Sequence, residues 1–255
     1  MSSPAPAPES VVDVDAATVF AQPYLAVVLL TAIAGAVDAV AYEWFGIFTS
    51  NQAGNLVVVW TLLPEDAASA LLSAASVIGC GLGVMAVALL RHRRPWFATP
   101  RGSRALLAAA SVLIVAAAVV SVRVTAPVGD QPVVPSIGTP QWWAASVAIS
   151  LAAASLAAMA VVVVSAHGTR ASILAPTNAY VEAVRLGSAA GLRPGPTLTR
   201  AARVAGFPLA WTCGAALSAL LPVSYVGVAM AAGVVLLAMA VALPPDRRRP
   251  MDSAA

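Results

Sequence analysis

One carboxylate and a short run of amides are the side chains of this chain best suited to chemistry. Asp38 lies inside an apolar stretch, and a polar group follows where the next apolar run begins: Asn51, Gln52, Gly54 and Asn55. A charged side chain at the centre of a bilayer costs about 2.5–3.5 kcal/mol on insertion scales, so such side chains usually face a protein interior or a watery cavity. Asp38 is therefore the first candidate for a functional group.

Two interpretations of Asp38 remain open. In the first, its carboxyl group binds a proton or a cation, because removal from water disfavours the charged form and allows proton exchange near neutral pH. In the second, the group is structural and is neutral or accepts hydrogen bonds from Asn51, Asn55 or the backbone amides that follow. Asp38 lies too deep in its apolar stretch to reach water easily, unlike a long basic side chain near a helix end.

The amides after Asp38 also have two interpretations. Asn51 and Asn55 could offer hydrogen bonds to a ligand, and the N-terminus of a short helix here would suit an anion. Alternatively, Ser50 or Asn51 caps that helix, while Gly54 permits close backbone approach. We expect capping for Ser50. Asn55 lies inside the apolar run, where capping does not explain it.

The composition identifies an integral membrane protein. Sixty per cent of the residues are hydrophobic and ten per cent are charged, with a mean hydropathy of +0.87, whereas soluble domains carry about 25% charged residues. The basic residues are all arginine and lie at span ends, which gives no nucleic-acid signal. No catalytic triad, metal spacing or nucleotide-binding loop is present. We expect no enzymatic activity, no metal and no cofactor.

Apolar runs of about twenty residues mark helices that cross a membrane. We predict an all-α protein with six spans: Tyr24–Trp44, Ser69–Leu90, Ala105–Val122, Trp142–Ser165, Ala202–Leu221 and Tyr225–Leu243. Two shorter apolar segments, Gly54–Leu63 and Ile173–Leu186, are too short or too mixed to cross alone. Polar tails flank the membrane domain of residues 21–243, and we expect residues 1–20 to be disordered and 244–255 to resemble them.

The arginines predict the orientation of these spans. With six spans, every arginine except Arg123 falls on one side of the membrane. The positive-inside rule places that side, with both termini, in the cytoplasm. The lipid bilayer is thus the first partner, and the bacterial inner membrane is the expected location.

The two halves of the chain, residues 21–123 and 141–243, resemble each other. Each has a span, a polar break, a short helix and two more spans, so Ala53-Gly54-Asn55 corresponds to Thr177-Asn178-Ala179, and Cys80-Gly81 to Cys213-Gly214. Because each half has an odd number of spans, the second half must be inverted. Paired, interrupted apolar segments point to the binding site of a secondary transporter. The alternative is that both short segments are amphipathic surface helices.

Small residues and one proline are expected to shape the helix packing. Gly79, Gly81 and Gly214 would let helices approach closely, and they leave homo-oligomerisation open. Pro208 should kink the fifth span. Glu182 and Arg185 are spaced for an ion pair on the second short helix.

The motif Gly35-Ala-Val-Asp38-Ala, followed by Phe48 and Ala53-Gly54-Asn55-Leu56, resembles the YoaK-type family of bacterial six-span membrane proteins, a domain of unknown function. The resemblance covers about Ala21 to Leu243 and implies architecture rather than mechanism. Ala53 stands where the family typically has threonine, and Thr177-Asn178 where it favours Thr-Gly. Near the end of the fourth span, Ala158-Met159-Ala160-Val161 stands where the family has Gly-Met-Gln-Asn. The second half has therefore lost polar side chains.

The sequence predicts a small permease of the secondary-transporter type, with a 3+3 inverted repeat, that moves a small solute and is coupled to protons. Asp38 would be the coupling group, and Asn51, Asn55, Thr177 and Asn178 would line the site. The alternative is a non-transporting scaffold or regulatory protein, in which the same side chains only lock helices together. A transporter should place Asp38 and Asn178 around a cavity, whereas a scaffold should bury them in direct contacts.

Overall fold

The computed structural model describes residues 19–20, 22–124, 134–163, 165–166, 169–170, 176–191, 193–220 and 225–242. The predicted tails lie outside these ranges except for Val19 and Phe20. Both of these side chains are fully buried in the hydrophobic core. The packed part of the chain therefore begins before Ala21, because two apolar side chains at the end of the predicted tail belong to the hydrophobic core.

The described part of the chain is helical. Its eight α-helices are α1 (Pro23–Phe45), α2 (Gln52–Leu62), α3 (Ala67–Arg93), α4 (Pro100–Ser121), α5 (Pro140–Val162), α6 (Pro176–Ala190), α7 (Pro196–Leu220) and α8 (Tyr225–Ala242). A 3-10 helix, Pro95–Ala98, joins α3 to α4. Two two-residue strands, β1 (Ser165–Ala166) and β2 (Thr169–Arg170), pair antiparallel after α5.

Four of the described helices, α1, α3, α4 and α5, are long and apolar enough to cross a membrane. They coincide with the first four predicted spans. Helices α7 and α8 occupy the positions of the fifth and sixth. However, α7 carries Arg200 and Arg203 near its beginning, and α8 is the shorter of the two, with 18 residues.

Local sequence signals set the ends of these helices. Proline occupies the first position of α1, α4 and α5, where its missing N–H costs no helical hydrogen bond. Thr99 and Thr139 cap α4 and α5 by accepting a hydrogen bond from the backbone N–H groups of Gly102 and Trp142. Helix α1 ends at Gly46, whose φ of 67° lies in the left-handed region that favours glycine.

The bundle is built on two closely packed helix pairs, α3 with α5 and α1 with α7. In the first pair, a Cβ atom on Gly79 would lie within 3.0 Å of the Ser150 backbone. In the second, a Cβ atom on Gly214 would collide in the same way with the backbone of Ala32. Glycine is therefore required at both crossings, because any side chain would separate the helices.

The other predicted packing residues divide into two groups. Gly35 meets the Trp211 backbone at the α1–α7 crossing, and Gly54 lies close to the Asn51 side chain. In contrast, a Cβ atom on Gly81 would meet no atom within 4 Å among the described residues, so the predicted packing role of this glycine does not apply within that part of the chain. Its side of α3 faces away from α5, the helix that Gly79 contacts. Pro208 lies inside α7, which continues through it to Leu220.

The charges of the described residues are separated along the bundle. One end holds the C-terminus of α3, the beginning of α4 and the α6–α7 connection, and it carries these arginines: Arg91, Arg93, Arg94, Arg101, Arg104, Arg185, Arg193, Arg200 and Arg203. The opposite end carries Glu43, Glu65, Asp66 and Arg123. This is the distribution that the positive-inside rule requires of a membrane protein.

Candidate functional site

The chain turns back on itself between α1 and α2. After Gly46, an unwound segment returns alongside α1, and the ring of Phe48 stacks on that of Tyr42 at 4.9 Å. Ile47, Thr49 and Ser50 of this segment are buried. Unwound backbone is tolerated at membrane depth only where protein groups satisfy its hydrogen bonds. Their partners therefore define the candidate site.

Asp38 binds this segment through both of its carboxylate oxygens. Oδ1 accepts hydrogen bonds from the backbone N–H of Thr49 (2.7 Å), the hydroxyl of Thr49 (2.8 Å) and the backbone N–H of Ser50 (2.6 Å). Oδ2 accepts a hydrogen bond from the Ser50 hydroxyl. Asp38 itself is fully buried. Four donors from two consecutive residues therefore compensate the removal of this carboxyl group from water.

Asn55 forms hydrogen bonds with both backbone polar groups of Phe48. Its Oδ1 accepts a hydrogen bond from the Phe48 N–H (3.1 Å), and its Nδ2 donates one to the Phe48 carbonyl (2.5 Å). Ser76 of α3 donates a hydrogen bond to the same carbonyl (2.8 Å) and accepts one from Asn55 Nδ2 (3.0 Å). The amide of Gln52 donates to the Thr49 carbonyl (2.8 Å). Three helices thus hold one unwound segment, which we call the polar clamp: Asp38, Phe48, Thr49, Ser50, Gln52, Asn55 and Ser76.

The clamp lies well inside the bundle. Asp38 precedes the end of α1 by two turns, which is about 10 Å at ~1.5 Å per residue. Ser76 follows the beginning of α3 by two and a half turns, or about 13 Å on the same scale. The N-terminus of α2 therefore begins at this depth, and α2 returns toward the end of the bundle where α3 begins.

The structure separates the residues that the sequence grouped into one site. Asn51 is exposed and caps α2 by accepting a hydrogen bond from the Gly54 N–H (3.4 Å). The expectation that Ser50 caps α2 is wrong, because its hydroxyl and N–H are both bound to Asp38. Asn178 is exposed on α6. Thr177 lies in the first turn of α6, and its side chain is outside the described residues.

Two members of the clamp were not predicted. Thr49 precedes Ser50 directly, and the pair of hydroxyls after Phe48 was the available signal. Ser76 had only its polarity within an apolar helix to distinguish it. The contact between Thr49 and Asp38 does not follow from sequence spacing, because the two residues are eleven positions apart across an irregular turn.

Asp38 has no unused carboxylate oxygen in this arrangement. Oδ1 accepts three of these bonds and Oδ2 one. Within the described ranges, no group of three or more His, Cys, Asp or Glu residues could hold a metal ion. What the arrangement does chemically is fix an irregular backbone segment between α1 and α2.

The second half has a different short helix. In α6, Ala179, Ala183 and Leu186 are buried in the core. The exposed side carries the predicted ion pair, in which Arg185 donates to both carboxylate oxygens of Glu182 at 2.7 Å. Hydrogen bonding from Arg185 holds the pKa of Glu182 below its ordinary value.

A cross-helix cap joins α3 to α5 at the arginine-rich end. The half-buried Arg91 donates hydrogen bonds to the carbonyls of Val161 (2.9 Å) and Val162 (3.5 Å), the last residues of α5. These carbonyls have no acceptor role within their own helix, and a cation is favoured at the negative end of a helix dipole. Arg91 therefore stabilises the end of α5 from a neighbouring helix.

Four membrane-capable helices, two of which contribute to a buried polar clamp, define a multi-pass helical membrane protein. Residues 26–243 match the family described as Protein of unknown function (DUF1275). The chain belongs to this family, which the YoaK-type name fits. No curated protein and no solved structure matches the chain.

Proposed function

We propose that this protein is a small permease of the secondary-transporter type in the bacterial inner membrane. The observation that carries the proposal is the unwound segment between α1 and α2, held inside the bundle by the polar clamp. Interrupted helices of this kind form the binding sites of many secondary transporters, where unwound backbone and helix termini meet the substrate. The proposed cargo is a small polar solute, moved with a proton.

The pattern of helix contacts supports an inverted repeat of three spans and three spans. Exchanging α1 with α5, α3 with α7 and α4 with α8 turns the α1–α7 pair into the α5–α3 pair. The same exchange turns the α4–α5 contact into the α8–α1 contact. When α2 is also exchanged with α6, the α2–α3 hairpin becomes the α6–α7 hairpin. In this proposal α7 and α8 are the fifth and sixth spans, and both termini lie in the cytoplasm with the arginine-rich end.

In this mechanism Asp38 is the proton-binding group. A proton on its carboxyl group would cancel the charge that draws in the donors of Thr49 and Ser50, and would loosen the unwound segment. Asn51 and Asn55 belong to the same hairpin, and Thr177 and Asn178 to its counterpart in the second half. Rocking one half against the other would expose the two hairpins in turn.

Flux in proteoliposomes tests the proposal. Purified protein is reconstituted with an internal pH dye, and amino acids, sugars, organic acids and amines are added in turn across a pH gradient. We expect proton movement with one solute class and its loss in Asp38→Asn. Glu43→Gln, at an exposed carboxylate on the same helix, is the matched control. Absence of flux for every class, or unchanged flux in Asp38→Asn, would contradict the proposal.

The same variant has a predicted effect on stability. Asp38→Asn places an amide NH₂ group against donors, so at least one of them loses its acceptor. We expect a loss of about 2–4 kcal/mol in the free energy of unfolding. Tryptophan fluorescence during unfolding in mixed detergent micelles measures it. A loss equal to that of Glu43→Gln would contradict the role of the clamp.

A second candidate function is a non-transporting membrane scaffold. It is favoured by the occupied oxygens of Asp38, because direct contacts are what a scaffold requires. The exposure of Asn178 meets neither the cavity expected of a transporter nor the burial expected of a scaffold. A thermal-stability screen across small polar solutes and pH separates the two functions. The permease predicts a solute that stabilises the wild-type protein but not Asp38→Asn. The scaffold predicts a lower melting temperature for the variant and no response to any solute.

A further inference from the structure

We propose that α6 lies at the boundary between headgroups and acyl chains, where the arginines beside it bind the phosphate headgroups of anionic phospholipids, whereas α2 lies within the acyl layer. The two short helices occupy equivalent positions in the two halves, so a difference between them is informative. This inference does not rest on transport. It concerns a lipid contact that a scaffold and a permease would share.

Helix α6 has the two faces of an interfacial helix. Its buried face is made of Ala179, Ala183 and Leu186. Its outer side exposes three large side chains, each more than half exposed: Tyr180, Val181 and Val184. The Glu182–Arg185 ion pair lies among them. A helix with apolar and charged residues side by side on its outer surface suits the boundary between headgroups and acyl chains.

Helix α2 lacks this mixture. Its exposed large side chains are Leu56, Val57 and Trp60, and no ionisable residue occurs from Phe45 to Leu63. The first turns of its partner α3 carry no charge up to Ser76. By contrast, the first turns of α7 carry the exposed Arg200 and Arg203. An apolar surface suits acyl chains, and exposed guanidinium groups suit headgroups.

The arginines beside α6 indicate which lipids this region binds. Arg193, Arg200 and Arg203, which we call the α6–α7 arginines, are exposed in the connection and the first turns of α7. Arg200 and Arg203 belong to the first turns of α7, the helix that packs against α6. Glu182 is the one carboxylate among the described residues 176–220, and Arg185 already binds it. The remaining positive charge is complementary to phosphate.

The depth of the two helices is the direct test. Single cysteines replace Val184 in α6 and Val57 in α2, in a chain whose Cys80 and Cys213 are changed to serine, and each carries a fluorophore. The protein is placed in vesicles of phosphatidylcholine and phosphatidylglycerol with quenchers at defined acyl positions. We expect shallow quenchers to act on position 184 and deep quenchers on position 57. Deep quenching at both positions would overturn the proposal.

Selectivity for anionic lipid is the second test. Arg193→Gln/Arg200→Gln/Arg203→Gln is compared with Arg93→Gln/Arg94→Gln/Arg101→Gln, a matched loss of three exposed charges at the same end of the bundle. Native mass spectrometry measures retention of phosphatidylglycerol against phosphatidylcholine. We expect the first variant to lose about fivefold in relative retention for each arginine that contacts a headgroup. The control should lose less.

Three further outcomes bear on the assignment of the lipid contact to α6. Equal losses in the two triple variants would show general attraction to charge and overturn the assignment to α6. Efficient cross-linking between two Val184→Cys copies would show that a second copy of the chain covers α6. If the triple variant fails to fold, the depth measurement still decides, because it leaves every arginine in place.

Discussion

At the scale of single residues, two side chains of the same type have different roles in and beside the clamp because their surroundings differ. Asn51 and Asn55 are four positions apart, and the sequence suggested one binding role for both. Asn51 is exposed and makes one capping contact, whereas Asn55 is fully buried and holds the peptide group of Phe48 from both sides. The side-chain oxygen and nitrogen of Asn55 thus replace the backbone hydrogen bonds that Phe48 would make within a helix.

These two asparagines form a matched pair for mutagenesis. Asn55→Ala removes the acceptor of the part-buried Phe48 N–H and leaves the Phe48 carbonyl with the Ser76 hydroxyl as its donor, so we expect a loss of about 1–3 kcal/mol in the free energy of unfolding. Asn51→Ala removes only a cap and should cost about 1 kcal/mol or less. Unfolding in mixed micelles gives both values. If the Asn51 variant were the less stable of the two, the clamp would not be what holds this segment.

At the scale of helices, each close crossing depends on glycine. Gly79 and Gly81 lie in the same turn of α3, but only Gly79 faces the backbone of α5. Packed helices cannot accept a methyl group where two backbones touch, because neither chain can move without losing contacts elsewhere.

We therefore expect Gly79→Ala to lower the free energy of unfolding by about 1–3 kcal/mol. Gly81→Ala should change it by less than about 0.5 kcal/mol, since a methyl group there meets open space. Melting temperatures of the two variants in the same detergent provide the measurement. Equal destabilisation would contradict a packing role specific to Gly79; helix propensity could not explain it, because alanine favours a helix more than glycine does.

The beginning of α3 should respond to acid. The hydroxyl and backbone N–H of Ser69 donate to the Asp66 carboxylate, and they hold the pKa of Asp66 below its ordinary value of 3.8. A lowered folded pKa contributes stability that is fully present above the ordinary pKa and is lost as the pH falls through the folded value.

Melting temperatures below about pH 4 should therefore fall more steeply in the wild-type protein than in Asp66→Asn. Ser69→Ala removes the hydroxyl, the main cause of the lowered pKa, and should give an intermediate slope. The same slope in all three proteins would exclude Asp66 as the acid-sensitive cap.

Much of this architecture was predictable, for identifiable reasons. Apolar length predicted α1, α3, α4 and α5, and the break after Phe45 predicted a short helix at α2. The clamp was only half predicted. Asp38 and Asn55 stand out because polar groups are rare in apolar runs, but their partners depend on how the chain turns at Gly46. Likewise, no pattern distinguished Gly79 from Gly81, because the choice depends on which side of α3 meets α5.

At the scale of the whole molecule, the separation of charge along the bundle bears on its orientation. Arg94 and Arg193 lie at one end, and Glu65 and Arg123 at the other. The orientation proposed above assigns the first end to the cytoplasm.

Single cysteines at these four positions, in a chain whose native cysteines are changed to serine, test this orientation. A membrane-impermeant maleimide should label Glu65→Cys and Arg123→Cys in intact spheroplasts. It should label Arg94→Cys and Arg193→Cys only after permeabilisation. Labelling of Arg123 on the same side as Arg94 would mean that α4 does not cross the membrane.

The pairing of α1 with α7 and of α3 with α5 also governs how the protein is made. When α1 enters the membrane, the helix that must meet Gly35 has not yet been translated, and it is complete only when the ribosome has passed Leu220. Asp38 can nevertheless find its partners early, because Thr49 and Ser50 follow within the same hairpin. We therefore expect the clamp to satisfy the Asp38 carboxyl group during insertion, and the surface of α1 that later contacts α7 to be covered first by lipid or an insertase.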